Sequence, residues 1–163
     1  MADKVLILNG PNLNLLGKRQ PEIYGTITLA EIDEMCKLHG TQRGLAVECR
    51  QSNHEGEIID WIHEARELKA GIILNAGAYS HSSIAIMDAI SSAERPVIEV
   101  HLSNIHKRES YRHTSYVSKV AVGMICGLGA QGYILAIEAI SRILEDEKKR
   151  LTGPSSQKLI ANP

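Results

Sequence analysis

The sequence predicts an α/β fold: one domain built on a five-stranded parallel sheet, doubly wound so that helices cover both faces. Three observations support this. Short apolar runs alternate at a regular pitch with segments of helical periodicity. The chain has 163 residues, a suitable length for one domain with a real core. Its 44% hydrophobic and 23% charged residues have the profile of a globular protein.

The first strand covers residues 5–8 and is stopped by the turn-forming Asn9, Gly10, Pro11 and Asn12. Residues 10–25 form a long polar connection, and connections of that length are often functional lids. A helix follows over 28–42, with Thr28 and Glu31 spaced as a capping box. The second strand covers 45–49. Ser52 and Glu55 repeat the box spacing and open a helix whose inner stripe is Ile58, Ile62, Ala65 and Leu68. The third strand is 72–74, the next helix 82–92, the fourth strand 96–101 and the fifth 120–125. The last helix runs over 132–148 with Ile134, Ile137, Ile140 and Leu144 inward. Right-handed crossovers between parallel strands then give a flavodoxin-like layout. The flavodoxin-like domain is expected to span 1–145. The tail of 146–163 turns charged and then rich in Gly, Pro and Ser, and is expected to be frayed or disordered.

Composition narrows the function. With no Phe and one Trp, the core must rest on Ile, Leu, Val and Ala. A net charge of −1 and a pI near 6.7 argue against a nucleic-acid surface, but not against a small anion held by local arginines. The three cysteines are sparse, odd in number and form no CxxC pair, which fits a reducing, cytoplasmic setting. No run has transmembrane length, and the start of the chain is too weakly apolar for a signal peptide, so no membrane association is expected.

In open α/β sheets a ligand binds at the carboxyl ends of the strands. Those ends carry Asn9 and Asn12, then Asn75 with Tyr79, Ser80 and His81, then His101, Ser103 and Asn104 with Arg108 and Arg112 beyond. An asparagine after a strand is commonly only a turn former, but here several polar ends converge on one edge. Glu99 and His101 are two apart on a strand and share a face. A carboxylate beside an imidazole favours the imidazolium, as a general acid requires; the bland alternative is a satisfied buried ion pair. Arg19 and Tyr24 share the long connection. A guanidinium near a phenol stabilises the phenolate, so the pair could form a base that is covered from water, or could be exposed loop decoration.

Other patterns carry less. Gly127-Leu128-Gly129-Ala130-Gln131-Gly132 matches GxGxxG between a strand and a helix, but no second strand with an acidic end follows. The glycines are better read as allowing close helix–strand packing. His81 and Asp88 among serines suggest a hydrolytic triad, yet there is no GxSxG elbow. No HExxH or His-Cys cluster suggests a metal, and no cofactor motif stands out.

The residues from Leu8 to Gly17 (LNGPNLNLLG), with Arg19, Pro21, Tyr24 and Gly25, resemble the signature of type II 3-dehydroquinate dehydratases. Gln51-Ser52-Asn53 with Glu55-Gly56, Asn75-Ala76-Gly77 with His81-Ser82-Ser83, and Glu99-Val100-His101-Leu102-Ser103-Asn104 continue the likeness in order. So do Gly127-Leu128-Gly129 and Gly132-Tyr133. Lys18 and Gln20 depart from it without touching a catalytic position. The resemblance implies dehydration of 3-dehydroquinate by anti elimination through an enolate, in the shikimate route to aromatic amino acids, with no metal, cofactor or imine. It implies Tyr24 as base, Arg19 as its partner, Asn12 positioning a water at the enolate oxygen, and His101, charged through Glu99, as acid. It further implies substrate binding by Asn75, His81, Leu102, Ser103 and Arg112. Asp88 would reach the active site of a neighbouring subunit in a dodecamer built from trimers. Two rivals remain at this point: a flavodoxin-like module binding a phosphate or nucleotide, and a catalytically silent assembly protein.

Overall fold

The first apolar run becomes β1 (Asp3–Asn9), in which Val5, Leu6, Ile7 and Leu8 are completely buried. A strand with no exposed face must lie inside a sheet covered on both sides. The computed structural model describes residues 1–153, with the backbone alone for Tyr24. After β1 come a single turn α1 (Pro21–Tyr24), α2 (Leu29–Gln42), β2 (Leu45–Gln51), α3 (Glu55–Glu67) and β3 (Gly71–Asn75). They are followed by α4 (Ile84–Ala93), β4 (Val97–His101), β5 (Gly123–Cys126) and α5 (Gln131–Thr152).

All strand pairs are parallel, in the order β2-β1-β3-β4-β5. This is the flavodoxin-like order, and it reverses direction between β1 and β3. Strand alternation divides the core into two layers. Val5, Ile7, Ile73, Ile98 and Val100 pack with Ile32 and Cys36 of α2 and with Tyr133, Ala136, Ile137 and Ile140 of α5. Leu6, Leu8, Ile72, Leu74 and Val97 pack with Ile58, Ile62 and Ala65 of α3 and with Ile86, Ala89, Ile90 and Ala93 of α4.

The Thr28–Glu31 capping box is formed: the Glu31 amide donates to Thr28 Oγ1 at 3.3 Å, and the Thr28 amide donates to the Glu31 carboxylate at 2.7 Å. The second expected box is not. β2 runs on to Gln51, which leaves Ser52 too far ahead of α3; its hydroxyl accepts from the His54 amide and donates to Glu57 instead. Leu68 and Ile134 also leave the expected core stripes, Leu68 as the exposed C-cap of α3 and Ile134 yielding to the buried Tyr133. β5 starts at Gly123 rather than 120, because Val120 still belongs to the turn that its amide closes on the Val117 carbonyl.

The connection over 10–25 is not wholly polar. Leu13 and Leu16 enter the core layer under α2 and α5 and pin it down. α5 passes 145 and ends at Thr152, tied to the body by Arg95 on Glu147 at 2.9 Å and Lys148 on Asp3 at 2.8 Å. The rest of the expected tail, 154–163, lies outside the described residues. No helix among the described residues is long and apolar enough to cross a membrane.

Candidate active site

β1 and β3 leave the sheet side by side at the point where the strand order reverses. Asn9 is in register with Asn75, and the Gly10 amide donates to the Asn75 carbonyl at 2.7 Å. No larger residue fits at Gly10, since a Cβ there would lie 2.4 Å from the Ala76 carbonyl oxygen. Behind both strand ends stands Tyr133, whose hydroxyl donates to Asn9 Oδ1 at 2.6 Å and accepts from Asn75 Nδ2 at 2.9 Å. Burial pushes this phenol far up, so Tyr133 is a fixed hydroxyl rather than a base. Asn75 Oδ1 accepts from the Gly77 amide at 3.2 Å, so both ends of the Asn75 amide are held where it lines a cleft.

His101, at the end of β4, is 5% exposed and lines the same cleft. Its Nε2 lies 2.6 Å from Oε1 of Glu99, which is completely buried behind it. Glu99 also accepts from the Ser115 hydroxyl at 2.5 Å and from the Ser118 hydroxyl. Burial acts to raise the Glu99 carboxyl, but the bonds from His101, Ser115 and Ser118 outweigh it and hold it below the ordinary range. With Nε2 committed to Glu99, Nδ1 is the nitrogen of His101 left for a ligand.

The His81 ring stacks on His101 with centroids 6.0 Å apart. Its Nδ1 donates to the Thr114 carbonyl at 2.9 Å. Burial lowers its basicity, with the neighbouring His101 and Arg112 adding to the effect against the Thr114 bond. His81 is therefore a neutral ring at pH 7, with Nε2 free to accept a hydrogen bond.

The connection after β1 forms the opposite wall. Asn12 adopts a left-handed backbone (φ 69°), and its amide donates to Asn53 Oδ1 at 3.0 Å. Arg19 lines the cleft from this wall. Across from it, Arg112 donates through Nε to Glu109 at 2.9 Å, and Arg108 approaches Ser103 Oγ at 3.4 Å. Arg19, Arg108 and Arg112 give the rim a positive field, although the chain as a whole is nearly neutral.

The GxGxxG segment has a scaffolding role. The Gly127 and Gly129 amides donate to the carbonyls of His101 and Leu102, at 3.2 and 3.0 Å, so they secure the end of β4. Gly127, at φ +86°, would place a Cβ 2.9 Å from Asn104. Gly132 has only ordinary contacts with Ile125 and Val100, so the close approach is between loops, not between helix and strand as expected.

The structure thus gathers Asn12, Arg19, Asn75, His81, His101, Leu102, Ser103 and Arg112 around one cleft, with Glu99 directly behind His101. Asp88 is exposed on α4 and is not part of that cleft. The side chain of Tyr24 lies outside the described residues; its backbone ends α1, five residues after Arg19. Sequence reasoning placed Arg108 at the ligand edge but gave it no role, and the structure puts it in the lining of the cleft. Ser115 and Ser118 were given no role, because a serine in a loop carries no sequence signal for its partner.

Comparison with known proteins agrees with this geometry. The family model described as dehydroquinase class II matches residues 3–141. The chain is 60% identical over 146 residues to the 3-dehydroquinate dehydratase of Ruegeria pomeroyi, covering 90% of this chain and 98% of that one. It is 62% identical over 138 residues to that of Mesorhizobium japonicum, covering 84% and 96%. The crystal structure of type II dehydroquinase from Propionibacterium acnes superposes with a TM-score of 0.84 at 44% identity, covering 87% of this chain and 98% of that chain. The sheet order, the cleft at its reversal point and these relatives together show that the chain belongs to the class II dehydroquinase family.

Proposed function

We propose that this chain dehydrates 3-dehydroquinate to 3-dehydroshikimate by anti elimination through an enolate, as a step of aromatic amino-acid synthesis in the cytoplasm. One observation supports this most strongly. A buried His–carboxylate pair opens onto a cleft rimmed by arginines, as expected for an acid acting on an anionic substrate. In this reading Tyr24, held as phenolate by Arg19, removes a proton from the carbon beside the ketone, and the electron pair moves onto the ketone oxygen. Asn12 positions a water that hydrogen-bonds that oxygen. The enolate then collapses, the carbon–oxygen bond to the leaving hydroxyl breaks, and Nδ1 of His101 protonates it as water. Glu99 holds the ring in place through Nε2 throughout. No step requires a metal, cofactor or lysine imine.

Arg112 suits the carboxylate because its planar guanidinium can engage both oxygens. Asn75, His81 and the Leu102–Ser103 turn bind the remaining oxygens. His81, being neutral, accepts from a substrate hydroxyl through Nε2. Asp88 serves the site of a neighbouring subunit in a dodecamer built from trimers, which accounts for an exposed carboxylate with no task in its own cleft.

Stereochemistry tests the mechanism. Substrate carrying deuterium at one or the other position of the methylene beside the ketone should lose only the label trans to the departing hydroxyl. Loss of the cis label would contradict the anti geometry, and inactivation by borohydride that depends on substrate would contradict the enolate route.

A further inference from the structure

Ser115 and Ser118 lie in the loop between β4 and β5, 16 and 19 residues after Glu99. Both hydroxyls nevertheless meet Glu99, Ser115 on Oε1 at 2.5 Å and Ser118 on Oε2. We propose that Ser115 and Ser118 are positioning residues that clamp Glu99 as an anion and so set the pH range over which His101 can act as acid. The inference rests on the functional reading above and extends it to two residues that do not themselves line the cleft.

The direction of each bond supports the clamp. The Ser118 amide donates to Ser115 Oγ at 3.2 Å, which occupies an acceptor site of that hydroxyl and leaves its proton for Glu99. Glu99 Oε1 receives His101 Nε2 and Ser115, while Oε2 receives Ser118. A carboxylate accepts all three bonds, whereas a protonated carboxyl would turn a proton against one of these donors. Ser118 Oγ also lies 3.4 Å from Met124 Sδ on β5, a weak acceptor that cannot compete with a carboxylate. The ionisable groups around the pair are His101, the His81 ring stacked on it, and Arg112 beyond His81. The cations in this set favour an ionised Glu99. Burial opposes ionisation, and the three hydrogen bonds outweigh it. Losing a serine hydroxyl therefore raises the pH at which Glu99 takes up a proton, and with Glu99 neutral the imidazolium of His101 loses its counter-charge.

Ser118 is the more exposed of the two, so Ser118→Ala tests the clamp with little risk to folding. The acid limb of kcat/KM on 3-dehydroquinate should move to higher pH in Ser118→Ala. Activity at pH 5 should fall about tenfold, while at pH 8 it stays within about threefold of wild type. KM should hardly change, and Ser118→Thr, which keeps the hydroxyl, should restore the limb. Ser115→Ala should move it the same way. A substrate-free readout is the infrared carboxylate band of Glu99, assigned by difference from Glu99→Gln. Its protonation should shift to higher pH in Ser118→Ala. An unmoved limb with an unmoved band, or a loss of activity equal at every pH, overturns the clamp. If the wild type fails to turn over 3-dehydroquinate, the functional reading falls, and the infrared titration alone decides the clamp.

Discussion

Arg19 lines the cleft, and in the proposed reaction its charge keeps the Tyr24 phenol ionised. Arg19→Ala should leave a base that is present but mostly protonated at neutral pH. Turnover should fall by about 10²–10³ at pH 7 and recover in part as pH rises. Arg19→Lys keeps the charge without the planar fork and should fall between the two, as a pH series of kcat would show. At this scale the sequence was legible where geometry is local. Glu99 and His101 share a face because a strand repeats every two residues, and the structure joins them at 2.6 Å. It was not legible where partners meet through the fold. Nothing in Ser115, Ser118 or Tyr133 announces a partner on another strand, since such contacts depend on how a loop or helix returns to the sheet.

Element boundaries show the same division. The Thr28 cap was readable because its box is complete within four residues and no strand competes for it. Ser52 carried an equal signal and failed, because β2 stays hydrogen-bonded to β1 through Gln51 and the helix therefore starts later. At α4 the working cap is Ser83, whose hydroxyl accepts from the Ile86 amide at 2.9 Å, one residue past the expected start. The closest approach of backbone to a glycine is at Gly10, where β1 passes the chain leaving β3. Gly10→Ala should force those strand ends apart. It should destabilise the protein by about 2–3 kcal/mol, read from denaturant unfolding. It should also lower kcat by at least about tenfold by displacing Asn75 and Asn12. An alanine variant with unchanged stability and turnover would mean that the junction does not position the cleft.

Across the whole molecule, the fold class followed from the alternation of apolar runs with helical segments, which sufficed for a parallel sheet covered on both faces. The strand order then placed the cleft, because the sheet reverses between β1 and β3. Assembly is a separate matter. An exposed Asp88 outside its own cleft motivates the expectation that fully active protein scatters light with a mass near twelve times 17.9 kDa. A monomeric mass at full activity would remove Asp88 from the neighbouring site. The chemistry itself is tested most directly by following ultraviolet absorbance on mixing the protein with 3-dehydroquinate, since the product is a conjugated enone and the substrate is not. Wild type should give a steady rise, and Tyr24→Phe should bind substrate with similar affinity yet turn it over about 10²–10⁴-fold more slowly. No rise with wild type, or a near-normal rate with Tyr24→Phe, would contradict the proposed dehydration by this cleft.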